Sequence, residues 1–177
     1  GRPLDPAERD LANAVRTQLA RLLSGISQRS TDAGSAAVEA MAVRVAAVRS
    51  WIGMHRSVRQ VTSESVRNEY FDILAVIRDE LASADTDASK LKEHQATLRS
   101  MPSQLDIAVR KNGMLEQLKV LKVEMPDPTQ AETLTHNVMA CLDRGDFHTA
   151  AEHLKRAQDA ILVARVSSRT MAGRPMA

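Results

Sequence analysis

The sequence predicts an all-α protein, an antiparallel bundle of about six or seven helices. Three observations carry that reading. Apolar residues recur at steps of three and four from Leu11 to Ile161, the repeat of helices that turn one face inward. Aromatic residues make up only 2% of the 177, so the core must be built from Leu, Val, Ile, Met and Ala, which suit packed helices better than sheets. The seven Gly and six Pro fall mostly near the ends or between the periodic segments. At 44% hydrophobic residues, the chain can fill such a core.

The first segment runs from about Asp5 to Gln28. Asp5-Pro6 supplies an N-cap followed by Pro at the first helical position. Leu11, Val15, Leu19, Leu22 and Ile26 then trace one stripe, and SQRSTDAGS (27–35) reads as a loop. The second segment, Ala36 to Gln60, carries two adjacent stripes. Val38, Met41, Val45, Val48 and Ile52 form one; Val43, Ala47, Trp51, Met54 and Val58 form the other. A helix apolar over so wide an arc meets neighbours on more than one side, which places it centrally.

Thr62-Ser63-Glu64-Ser65 is a capping cluster that opens the third helix, whose stripe is Val66, Tyr70, Ile73, Ile77 and Leu81. The fourth segment, Ala88 to Ser100, is more polar and anchored by Leu91 and Leu98. Met101-Pro102-Ser103 predicts a break, because the residue before proline avoids the helical region. Leu105 to Glu124 follows, with Asn112-Gly113 as a place to bend. After the rigid MPDP (125–128), Thr129 can cap a helix to Arg144 marked by Leu134, Val138, Cys141 and Leu142.

Gly145 suits the left-handed position past a helix end, and Asp146 can cap the next helix, with Phe147, Ala151, Leu154 and Ile161 inward. This predicts a tight helical hairpin. The chain then divides into an N-terminal helix (1–30), central helices (31–100), a C-terminal helical hairpin region (101–168) and a loose tail (169–177), the looseness beginning near SSRTMAGRPMA. Residues 75–98 and 140–161 echo one another once a two-residue gap is allowed, which leaves room for two related helical subunits.

Composition narrows the function. The net charge is +2, and Arg outnumbers Lys 18 to 6, an imbalance that genome base composition produces without any function. The single cysteine, Cys141, sits on an apolar stripe and excludes an internal disulfide, so an intracellular, cytoplasmic setting is expected. No run approaches the 18 or so apolar residues of a membrane span, and no basic-then-apolar signal segment opens the sequence.

Residues that carry chemistry are sparse. His148 and His153 are five apart and point to different helix faces, so they make no metal pair. Phosphate-binding Gly-rich loops and nucleophile elbows are absent. No catalytic, cofactor-binding or metal residue is therefore expected, nor any cofactor, and the protein reads as a non-enzyme. Two other sets stand out. Arg44, Arg49, Arg56, Arg59 and Arg67 are candidate contacts for phosphates or an acidic partner. Trp51, Met54 and Val58, on the wide apolar arc of residues 38–58, are the candidate interface. The expected role is a protein–protein interaction, scaffold or assembly module whose partner is another protein or a second copy. The alternative is a nucleic-acid-binding coat or packaging protein that uses Arg–phosphate contacts.

Residues 114–157, MLEQLKVLKVEMPDPTQAETLTHNVMACLDRGDFHTAAEHLKRA, resemble the small helical bundle shared by the C-terminal domain of the COPII outer-coat subunit and the steroid receptor RNA activator protein. The matching positions are Leu115, Leu118 and Leu121, then Pro128-Thr129, Leu134 and Leu142, then Phe147 and Ala151. They are packing positions, and the length and the N-terminal helix depart from that family. The resemblance implies a protein-binding module in coat assembly, or an adaptor associated with ribonucleoprotein, without enzymatic activity.

Overall fold

A computed structural model describes residues 2–25 and 31–172. Among them the only regular elements are six helices: α1 (Pro6–Gly25), α2 (Thr31–Arg59), α3 (Glu64–Ala82), α4 (Ala88–Glu124), α5 (Pro128–Asp143) and α6 (Phe147–Ala172). They form two compact units, Gly1–Asp106 and Ile107–Ala177, and the division falls inside α4.

In the first unit α2 packs on both α1 and α3, as its wide apolar arc requires. Its inward face is Ala47, Trp51, Met54 and Val58. Trp51 stacks on His55, with ring centroids 4.7 Å apart, and its indole N–H donates to the Leu74 carbonyl at 2.8 Å. The largest side chain of the chain is thus buried with its one polar atom satisfied. The other α2 stripe turns outward. Val38 is exposed, Met41, Val45 and Ile52 are half-buried, and only Val48 is buried. Small phase corrections occur on the neighbours: on α1 Leu19 is exposed, and on α3 Leu74 takes the buried place expected of Ile73. Ile26 and residues 27–30 of the expected loop lie outside the described residues, and its remainder, 31–35, is helical instead.

The break expected at Met101-Pro102-Ser103 does not occur; α4 runs straight through it. Pro102 withholds one backbone N–H and crowds the carbonyl four residues back. Leu98, Met101 and Leu105 are all buried around an exposed Pro102, and burial of these three anchors overrides the local penalty. Two predicted helices therefore merge, and the count is six.

The second unit is a three-helix packing of the end of α4, α5 and α6 around Leu118, Leu121, Leu134, Val138, Leu142 and Leu154. Asp127, not Thr129, caps α5: its carboxylate accepts from the Thr129 N–H at 2.9 Å, with Pro128 at the first helical position. At the joint, Gly145 has φ of 72°. The Asp146 N–H donates to the Cys141 carbonyl (2.9 Å) and the Gly145 N–H to the Leu142 carbonyl (3.1 Å), a Schellman ending. Asp146 then accepts from the Thr149 N–H at 3.1 Å and starts α6. On α6 the buried alanine is Ala150; Ala151 is exposed. The helix continues to Ala172, past the expected start of the tail, while 173–177 lie outside the described residues. The echo between 75–98 and 140–161 does not bring the turns into correspondence: from its Ala start the first copy stays helical over 75–82 before the turn at 83–87, the second only over 140–143 before the turn at 144–146.

Candidate functional site

The five arginines picked out by sequence do not share one surface. Arg44 points into the first unit and is only 4% exposed. Its guanidinium donates to the carbonyls of Leu81 (2.5 Å), Ser83 (2.6 Å) and Thr86 (3.3 Å), where α3 ends. The end of α3 carries orphan carbonyls and the negative end of the helix dipole, and the buried cation satisfies both. Burial pushes the guanidinium pKa down, because the low-dielectric interior disfavours the charged form. Arg44 is therefore a structural pin, not a phosphate contact. Arg67 is likewise committed, donating to the Val61 carbonyl at 3.1 Å across the α2–α3 turn.

Arg56 and Arg59 meet the start of α1. The sequence DPAE (5–8) forms a capping box: the Glu8 N–H donates to Asp5 Oδ1 (2.9 Å) and the Asp5 N–H donates to Glu8 Oε2 (3.3 Å). The two carboxylates then bind α2. Glu8, buried at 1% exposure, pairs with Arg56 (3.1 Å) and His55 Nδ1 (3.3 Å). Asp5 pairs with Arg59 at 2.9 Å. Burial works to raise both carboxyl pKa values. For Glu8 the bonds from Arg56 and His55 outweigh it; for Asp5 the Glu8 N–H, His55 and Arg59 do. Both acids are held below their ordinary range.

Asp5, Glu8 and His55 place ligand atoms within 4.8 Å of one another, close enough to suggest a cation site. The charge count argues otherwise: two guanidinium groups already balance the two carboxylates. A small cavity of about 120 Å³ beside them is lined by Arg2, Arg56 and Arg59 and by Glu8, whose carboxylate already pairs with Arg56. The cluster clamps the start of α1 to the end of α2. Sequence reasoning missed it, although Glu8 three residues after a capping Asp5 is a legible signal.

Arg49 is different. It is exposed on α2 and makes no ion pair or hydrogen bond among the described residues. It stands at one end of an apolar groove of about 370 Å³ between α1 and α2. Leu19, Leu22 and Leu23 line it from α1; Val38, Met41 and Val45 line it from α2. Ala42 and Ala46, one turn apart, have side chains too short to fill the space between. Leu23 is 61% exposed and Val38 48%, a concentration of apolar surface unlike the scattered singles of an ordinary helix face. The sequence-predicted interface lies on the opposite side of the same helix: Trp51, Met54 and Val58 are at most 3% exposed and hold the first unit together.

Among the described residues no helix is long and apolar enough to cross a membrane. Comparison with protein-family models, curated proteins and solved structures finds no match to this chain.

Proposed function

We propose that the protein is a non-enzymatic interaction module that takes an amphipathic helix into the α1–α2 groove. The observation that supports this is the groove itself: two apolar walls, an alanine gap between them, and an uncommitted cation at one end. A helix with apolar residues at i, i+3, i+4 and i+7 matches such a trough, and an acidic residue at one end of that stripe meets Arg49. A scaffold or adaptor role belongs to the same class, and so does the assembly role implied by the resemblance of residues 114–157. The nucleic-acid reading has less to draw on, since Arg44, Arg56, Arg59 and Arg67 are spent on contacts within the chain.

The test uses two labelled peptides of equal composition, one with an apolar stripe ending in an acid and one scrambled to destroy the stripe. The striped peptide binds the wild-type chain and fails to bind Leu23→Asp and Val38→Asp, two exposed positions whose replacement leaves the helical circular dichroism unchanged. Equal binding of the two peptides, or binding that survives both substitutions, overturns the proposal.

A further inference from the structure

The second unit carries a helix face that fits the groove. On α6 the buried side is Ala150, Leu154 and Ile161; the opposite side presents Leu162, Val163 and Val166, each at least half exposed. Asp159 lies on that same side, one turn before Leu162 and Val163, because 159, 162, 163 and 166 are spaced i, i+3, i+4 and i+7. Asp159 is exposed and makes no ion pair among the described residues. The stripe is thus the shape a groove-binding helix needs: three apolar side chains preceded by one uncommitted acid.

We infer that the occupant of the groove is α6 of a second copy of this chain, laid antiparallel to α2 with Asp159 against Arg49. This rests on the groove reading above and names its partner. Three features of the two surfaces agree. The charges are complementary, with one uncommitted cation at the end of the groove and one uncommitted acid at the end of the stripe. The lengths agree, since Ala42 to Arg49 and Asp159 to Val166 each cover eight residues, seven rises or about 10 Å of helix.

The register also agrees. With Asp159 opposite Arg49, Leu162 falls opposite Ala46, Val163 opposite Val45 and Val166 opposite Ala42, so two of the three apolar side chains meet an alanine gap. Small residues at such a crossing let helix axes approach to about 8 Å. In the same register Lys155 faces Gly53, which offers no side chain to obstruct it. A reciprocal pair of these contacts closes a dimer, whereas an unreciprocated one joins copies head to tail.

The experiment is sedimentation equilibrium of the full chain as wild type, Arg49→Asp, Asp159→Arg and the double variant, at low and moderate salt. The wild type self-associates. Each single reversal places like charges together and weakens association about tenfold, equivalent to about 1.4 kcal/mol. The double variant restores association, because the pair is rebuilt with its sign exchanged. Circular dichroism confirms that all four are folded, and both substitutions lie on exposed positions.

A peptide of residues 155–172 competes with the assembly and lowers its mass. A wild-type chain that stays monomeric at every concentration overturns the inference, and so does an assembly indifferent to both reversals or a double variant no better than the singles. In each of those cases, continued binding of the striped peptide to the groove leaves the groove reading standing and removes only this occupant. Loss of both removes the two together.

Discussion

Replacing Arg44 separates a structural cation from a phosphate-binding one. In Arg44→Ala the Ser83 carbonyl, on an exposed residue, turns to water, but the Leu81 carbonyl sits on a fully buried residue and loses its partner. An orphaned buried acceptor costs about 1–3 kcal/mol. Loss of a positive charge at a partly buried helix end adds up to about 2 kcal/mol. The buried apolar stem of the arginine is lost with the head. Against these stands the relief of a desolvated cation, whose strain shows in the lowered pKa.

The favourable terms outweigh that relief, and we expect Arg44→Ala to lose about 3 kcal/mol. Arg44→Met keeps the stem without the donors and should lose about 2 kcal/mol, the polar share alone. Urea unfolding followed by circular dichroism reads both values as shifts in midpoint at constant slope. If both variants unfold within about 0.5 kcal/mol of wild type, the range of an ordinary surface change, the pin does not exist. If they also lose affinity for nucleic acid in a salt-dependent way, Arg44 is a phosphate ligand after all.

Other consequences follow from the caps and clamps. The Glu8 carboxyl is held below its ordinary 4.5, so its contribution to stability is complete above about that pH and is lost as the pH falls through the lower folded value. Urea midpoints of wild type and Glu8→Gln should therefore converge on acidification, and a gap that stays constant down to low pH would contradict the clamp. Gly145→Ala meets no atom within 4 Å, so its cost is backbone strain at φ of 72° alone: about 1–2 kcal/mol, with Gly145→Asn costing less. Pro102→Ala restores a helical hydrogen bond and removes an exposed ring, and should raise the unfolding free energy by about 1–2 kcal/mol; a less stable variant would show that the ring supports α4.

Much of the fold is legible because periodicity reports on a helix from within. The stripes of α1 and α5, the joint at Gly145 and the cap at Asp146 can each be read from a few neighbouring residues. The continuity of α4 cannot. The preference of Met101 before Pro102 is local and points to a break, whereas Leu98, Met101 and Leu105 act through neighbours that no local window contains. A penalty of about 3 kcal/mol for an internal proline is comparable to burying one or two large apolar side chains, so tertiary packing decides the outcome. The one-residue shift on α6, Ala150 for Ala151, has the same origin: both alanines satisfy the spacing, and the partner helix selects one.

The groove was hidden by a different ambiguity. Two apolar stripes on α2 are visible in the sequence, but periodicity cannot say which one a neighbour claims. Trp51 carries the largest side chain on either stripe, and its burial excludes the most water, so the stripe through Ala47, Trp51, Met54 and Val58 wins the core and the stripe through Val38, Met41 and Val45 is left outside. Trp51, Met54 and Val58, the interface expected from sequence, are therefore the residues most valuable to the fold and the ones least able to serve a partner. The arginines divide by a related logic. A guanidinium is drawn to the nearest uncompensated oxygen, and helix ends and capping carboxylates lie closer to Arg44, Arg56, Arg59 and Arg67 than any ligand does. Arg49 alone of the five has no such oxygen within reach among the described residues, because it sits in mid-helix on the outward stripe, and that placement is what makes it available to a second molecule.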